Sequence, residues 1–339
     1  MNNVTNTKER LHWVDAAKGF LILFVVITHM EQRSWELGVS SPFVDCIRFV
    51  EPVWLVFLMG TFFIISGFWG NYDLPFKDFI VKNAKSLLLP LIVFSFIGGI
   101  LHELLYEILK HTYNEGALVG PSLVIEIGYW FILAMFVAKC VLWLVYRWIK
   151  NDAVRWVFIV LIYIIGVLLM KVKYLPNYVY WKWGVALMIY LPVGQVLKKH
   201  IHSWGLFFVS LVLFVGVWFA FYHFNIDMPQ MSYGMPNLDL VRAVPSFLLC
   251  VTGSIVVLKL FSLVKRARVL EFVGRNTLAI YVMHWWVELL AIKVMRSLFS
   301  QGVWMSTLAT LICIVLAVLV PCLISELLNR PKLKWIIGR

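Results

Sequence analysis

The feature that most constrains this chain is a succession of apolar runs, each long enough to cross a bilayer, joined by short polar links. A helix of about 20 residues crosses the hydrocarbon core while keeping every backbone group bonded within itself. Marking such runs predicts ten spans, at 13–31, 52–70, 86–107, 121–146, 154–170, 178–197, 204–223, 239–262, 271–294 and 303–328. The expected fold class is all-α: a polytopic integral membrane protein of about ten transmembrane helices, with residues 1–339 forming one membrane-embedded domain. The first run carries ionised residues in its first half and lacks a small-residue cleavage site, so it is expected to stay as an anchor.

Charge then sets orientation. The net charge of +12 would suit a nucleic-acid partner, but the basic residues lie in short links between apolar runs, where the positive-inside bias accounts for them. With the N-terminus inside, nineteen Lys and Arg face the cytoplasm and eight face outward. Both termini are therefore expected to be cytoplasmic, with no nucleic-acid partner. Five cysteines, an odd number without metal-ligand spacing, indicate neither a disulfide framework nor a metal site.

Charges inside a span are costly, and for that reason they mark functional candidates. The first span holds Asp15, Lys18 and His29. Lys18 and His29 are eleven residues apart, which places them within roughly 20° of one helix face and about 16 Å apart along it. Histidine can take and return a proton near neutral pH. Lys18 has a plainer reading too, as a snorkelling side chain or the i,i+3 partner of Asp15.

The ninth span enters from the same side and reads Gly274-Arg-Asn276-Thr-Leu-Ala-Ile-Tyr281-Val-Met-His284-Trp-Trp-Val-Glu288. His284 is about 15 Å beyond Gly274, at a depth where it can meet His29, with Tyr281 and Glu288 on the same face. In the second span, Ser66 and Gly67 are expected towards the cytoplasmic side, where small residues permit close helix approach. No nucleophile-elbow pattern surrounds Ser66. Lys82 and Lys85 stand one turn apart at the mouth of the third span, and Lys265, Arg266 and Arg268 precede the ninth. Each cluster serves as an inside anchor; together they can grip a phosphorylated cytosolic ligand through charge-assisted bonds.

These residues resemble acyltransferase family 3, the integral-membrane O-acyltransferases. The resemblance rests on the Lys18 to His29 spacing, the Phe-x-x-Ser66-Gly67-Phe68 segment, Lys82-x-x-Lys85 before Leu-Leu-Leu-Pro90, and Trp130-Phe131-x-Leu-Ala134. It continues through Leu191-Pro-Val-Gly194 and Gly274-x-Asn276-Thr277-Leu278-x-Ile280-Tyr281-x-x-His284. It implies an acyl group, acetyl first, taken from cytoplasmic acetyl-CoA or another acyl-CoA and passed to a hydroxyl of an envelope glycan or glycolipid. It implies a multi-pass protein of the cell membrane, of the bacterial inner-membrane type. By position, His29 would be the catalytic histidine and Lys18 its basic partner, with His284 and Tyr281 completing the catalytic set. Lys82, Lys85, Ser66 and Asn276 would serve the acyl-CoA, and the basic cluster before the ninth span adds Arg268. Lys82 and Lys85 match a pair usually filled by arginine, and Lys18 stands where many members have arginine. The rival reading is a proton-coupled transporter with His29, His284 and Glu288 as a relay, although no matching pair of interrupted spans supports it. The outer segments offer Trp35, Glu51, His102, His111, Tyr233 and Asp239 as acceptor contacts.

Overall fold

The structure, a computed structural model, describes residues 11–36, 38–39, 41–97, 100, 129–172, 180–224 and 240–338. Of the expected acceptor contacts, His102, His111, Tyr233 and Asp239 lie outside these residues. The described chain is all-helical, and eight of its helices are long and apolar enough to cross a membrane, or nine if a pair bent by 40° counts as one span. In chain order they are α1 (His12–Glu36), α2 (Pro42–Val50), α3 (Pro52–Leu55), α4 (Leu58–Gly67), α5 (Phe76–Ile97), α6 (Trp130–Trp148), α7 (Asp152–Met170) and α8 (Trp181–Leu187). There follow α9 (Tyr190–His200), α10 (Trp204–His223), α11 (Leu240–Ser262), α12 (Arg268–Arg275), α13 (Thr277–Val294), α14 (Arg296–Phe299) and α15 (Val303–Leu328). The bent pair comprises α2 with the α3–α4 segment.

Two of the ten expected runs are broken inside and a third starts at a bend, each for a local reason. At the start of the second, the chain bends at Pro52, which opens α3 and cannot supply an N–H to a helix continuing from α2. The sixth divides into α8 and α9, because Pro192 has no N–H to bond back to Met188 and instead sits in the first turn of α9, where none is needed. The ninth divides at Asn276, which closes α12 and opens α13. Its amide competes with the backbone by bonding the Phe272 carbonyl at 3.1 Å. Where polar links start a helix, side-chain caps hold the first turn: Ser41 accepts from Val44, Asn151 from Val154 and Ser203 from Leu206.

Burial sorts the spans into centre and rim. In α1 and α13 the apolar windows are 61% and 56% buried, whereas α10 reaches only 17%. The rim helices α7, α10 and α15 present rows of exposed Val, Leu and Phe, the surface a bilayer would cover. The spans that carry His29 and His284 are thus the innermost.

Two glycine crossings fix the centre. A Cβ on Gly19 would overlap the Leu270 carbonyl, and one on Gly274 would overlap the Asp15 carbonyl, so α1 and α12 touch backbone to backbone. The same reciprocity joins α4 to α9, where Gly67 meets the Leu191 carbonyl and Gly194 meets that of Ile64. Without a hydrophobic drive between helices in lipid, close packing at small residues is a main source of association. On the other side, α8 packs between α6 and α7, with Gly184 against Ala134 and Val137, and Gly166 against Ala186.

Candidate active site

The centre of the bundle holds a histidine pair. His29 lies seventeen residues beyond His12 in α1, about 25 Å along the axis, and its ring is 5.1 Å from that of His284 on α13. Trp285 meets His29 edge-on at 5.2 Å. His284 is buried, while His29 is only half-buried. Their hydrogen bonds fix which nitrogen is open to chemistry. Nδ1–H of His29 donates to Oε1 of Gln32 at 2.7 Å, and Nδ1–H of His284 donates to the Ile280 carbonyl at 2.8 Å. A carbonyl oxygen can only accept, so in the neutral rings both Nε2 atoms carry lone pairs. Nε2 of His284 is buried and makes no hydrogen bond among the described residues.

Neighbouring groups hold this pair in place. Tyr281, one turn before His284, accepts from the Phe131 backbone N–H at 3.3 Å, and Tyr129 donates to the Val282 carbonyl at 2.9 Å. Together they tie the start of α6 to α13. On the other side, Trp54 Nε1 donates to Thr28 at 3.0 Å, anchoring α3 beside α1. One turn beyond the histidines, the Arg33 guanidinium lies 3.5 Å from the centre of the Trp285 ring, and Arg48 bonds Glu31 at 2.5 Å. Glu288 is fully buried, and neither carboxyl oxygen has a hydrogen bond among the described residues. Glu51 is buried nearby, and Trp35 is exposed under Arg48.

Towards the opposite end of α1, Lys18 is paired with Asp15 at 2.7 Å, the i,i+3 contact that the spacing allowed. The structure does not bring Lys18 to His29. Below this pair, Glu271 of α12 is buried and accepts from the Ala267 backbone N–H at 3.0 Å, from His12 at 3.0 Å and from Arg266 at 3.1 Å. The Ala267 amide first, with His12 and Arg266 adding to it, holds the Glu271 carboxyl below its ordinary range.

The expected acyl-CoA residues are distributed over several elements. Lys82 and Lys85 are exposed on the first turns of α5, where the helix widens into a π turn over Ala84–Leu88. Ser66 is half-buried beside the Gly67 crossing. Arg268 is exposed at the start of α12. Asn276 is buried, and its amide is engaged at both ends: Ser325 donates to Oδ1 at 2.7 Å, and Nδ2 donates to Glu326 at 3.3 Å. Asn276 therefore fastens the α12–α13 joint to α15. Among the described residues no three His, Cys, Asp or Glu side chains converge as metal ligands would.

The sequence reading passed over two residues of the inner bundle, one beside the histidines and one about 12 to 17 Å from them along α6. Gln32 falls just beyond the apolar run, yet α1 continues to Glu36 and puts it one turn from His29. Its i+3 spacing was the available signal. Lys139 lies in α6, where the like charge of Lys82 on α5 acts on it, a relation that no single stretch of sequence contains.

The histidine pair at the centre of an all-helical membrane bundle can now be set against known families. A family model described as an acyltransferase domain, Acyl_transf_3, matches residues 11–326. The chain belongs to acyltransferase family 3. It is an enzyme, a membrane acyltransferase whose family match takes in every spanning helix described above. No curated protein and no solved structure matches it.

Proposed function

We propose that this acyltransferase moves an acyl group, acetyl first, from cytoplasmic acyl-CoA to a hydroxyl of an extracytoplasmic glycan or glycolipid, with His29 as general base. The observation that carries this reading is the half-buried His29 whose Nδ1 is taken by Gln32, leaving Nε2 as an acceptor beside His284. In the reaction, Nε2 of His29 takes the proton of the acceptor hydroxyl as its oxygen attacks the thioester carbonyl. The C–S bond then breaks, an ester forms, and the CoA thiolate takes the proton back from the imidazolium. His284 presents a second acceptor nitrogen to the same space, where it can accept from another hydroxyl of a sugar acceptor, and Tyr281 fixes the height of α13 against α6.

The excess of basic residues at the end bearing His12, Lys82, Lys85 and Arg268 supports placing that end in the cytoplasm, in a cell membrane of the bacterial inner type. Exposed lysines there suit phosphates, while Trp35 and Glu51 lie towards the far end of α1, on the side of a sugar acceptor. The test is transfer of radiolabelled acetyl from acetyl-CoA to an envelope glycan extract by the purified protein in lipid nanodiscs. His29→Ala should lower turnover by about 10²- to 10⁴-fold, the contribution of a general base. Full turnover by that variant would sink the assignment.

A further inference from the structure

Lys139 is a cation on α6 that the mechanism above does not use. Other lysines on the inner helices are visibly engaged: Lys18 pairs with Asp15, Lys182 donates to the Val172 carbonyl at 2.7 Å, Lys198 to that of Phe68 at 3.0 Å and Lys259 to that of His202 at 2.6 Å. Lys139 makes no hydrogen bond or ion pair among the described residues, and neither does Lys82. The two face each other. Trp143 of α6 packs on Phe76 and Phe79 of α5, with ring centres 5.1 and 6.0 Å apart, so these faces oppose. The helices run in opposite directions, and one further turn along each brings Lys82 beyond Phe79 and Lys139 beyond Trp143. Lys82 is the like charge that acts on Lys139, and no carboxylate is among the groups that act on Lys139. An exposed lysine at the mouth of one span and a partly buried lysine within the next call for an anion between them.

We propose that Lys139 and Lys82 form the seat of the donor's pyrophosphate, an inference that rests on acyl-CoA being the donor. Distance along the helices selects this group. Lys139 is eight residues from Phe131 on α6, about 12 Å of rise. Phe131 touches Tyr281, with ring centres 5.6 Å apart, and Tyr281 lies one turn before His284 and its partner His29. The seat and the histidines are thus about 12 to 17 Å apart along the bundle. A phosphopantetheine arm has the backbone length of some four extended residues, roughly 15 Å. With its pyrophosphate between the two lysines, the arm delivers its thioester to Nε2 of His29. Lys85, one turn further along the π turn from Lys82, remains on the exposed side for the 3′-phosphate.

The test compares two donors, acetyl-CoA and S-acetyl-pantetheine, which has the arm and no phosphate. In Lys139→Met the KM for acetyl-CoA should rise about tenfold or more, the size of a lost charge-assisted bond, while the KM for S-acetyl-pantetheine stays at the wild-type value. Lys139→Arg should restore most of the acetyl-CoA affinity. An equal change with both donors, or none, overturns the seat. A rise confined to the acceptor's KM would assign the site to a lipid diphosphate and also overturns it. Should Lys139→Met not fold, Lys82→Met reads the same split. Binding of inorganic pyrophosphate to the solubilised protein separates the two readings. A wild-type protein that ignores acetyl-CoA but binds pyrophosphate in a Lys139-dependent way would retain the anion seat and overturn the choice of donor.

Discussion

Gln32→Ala is the substitution that most directly probes how His29 is prepared for catalysis. The Gln32 amide oxygen accepts from His29 Nδ1–H at 2.7 Å and thereby selects the tautomer with its lone pair on Nε2. Removing it leaves the ring free to turn and to exchange tautomers. A neutral hydrogen bond contributes a net 0.5–1.5 kcal/mol, or about two- to thirteenfold in rate at 1.36 kcal/mol per decade. Because the bond matters when the proton moves, the loss should appear in kcat, with KM for the donor unchanged. Gln32→Glu keeps an acceptor oxygen at the same reach and should retain most of kcat. Steady-state acetyl transfer by the purified variants in nanodiscs measures both constants. In the double variant with His29→Ala, the Gln32 substitution should add no further loss, since it acts only through that ring. A Gln32→Ala variant with kcat intact and KM raised would refute the reasoning, as would a further drop in the double variant.

Two more outcomes concern the scaffold. A Cβ at Gly274 would stand 2.6 Å from the Asp15 carbonyl carbon and 2.9 Å from Gly19 N, with only backbone to move, so Gly274→Ala should lower stability by about 1–3 kcal/mol or more. Gly216→Ala, with nothing within 4 Å, should be neutral or gain up to about 1 kcal/mol in helix propensity; equal thermal midpoints for the two variants would refute the crossing. The depressed Glu271 carboxyl contributes stability that is complete above its ordinary pKa of 4.5 and is lost as pH falls from there through the lower folded value. Glu271→Gln should flatten thermal stability against pH in that acid window, and an unchanged slope would remove Glu271 as its source.

Much of the centre was legible because helical rise is regular. Counting residues along two spans that enter from one side was enough to put His29 and His284 at one depth, and their rings meet. The same count could not say that Lys18 would turn to Asp15, since i,i+3 pairing and a shared face with His29 are both satisfied by one helix. Hydropathy counted ten runs but was blind to breaks inside them: Pro192 and Asn276 sit among apolar neighbours that keep the window average high. Gln32 was missed because the apolar run ends before the helix does. Lys139 was missed because its relation to Lys82 joins elements far apart in the chain.

The paired glycines also carry a mechanical consequence. Helices that meet carbonyl to Cα interlock like meshed teeth, so α1 with α12, and α4 with α9, each move as one rigid lever. Between the two levers side chains meet, as in the ring contact of Trp13 with Phe68 at 6.2 Å, and side chains slide where meshed backbones cannot. A slip plane is therefore already cut between the two, with His29 riding on one lever and Ser66 on the other.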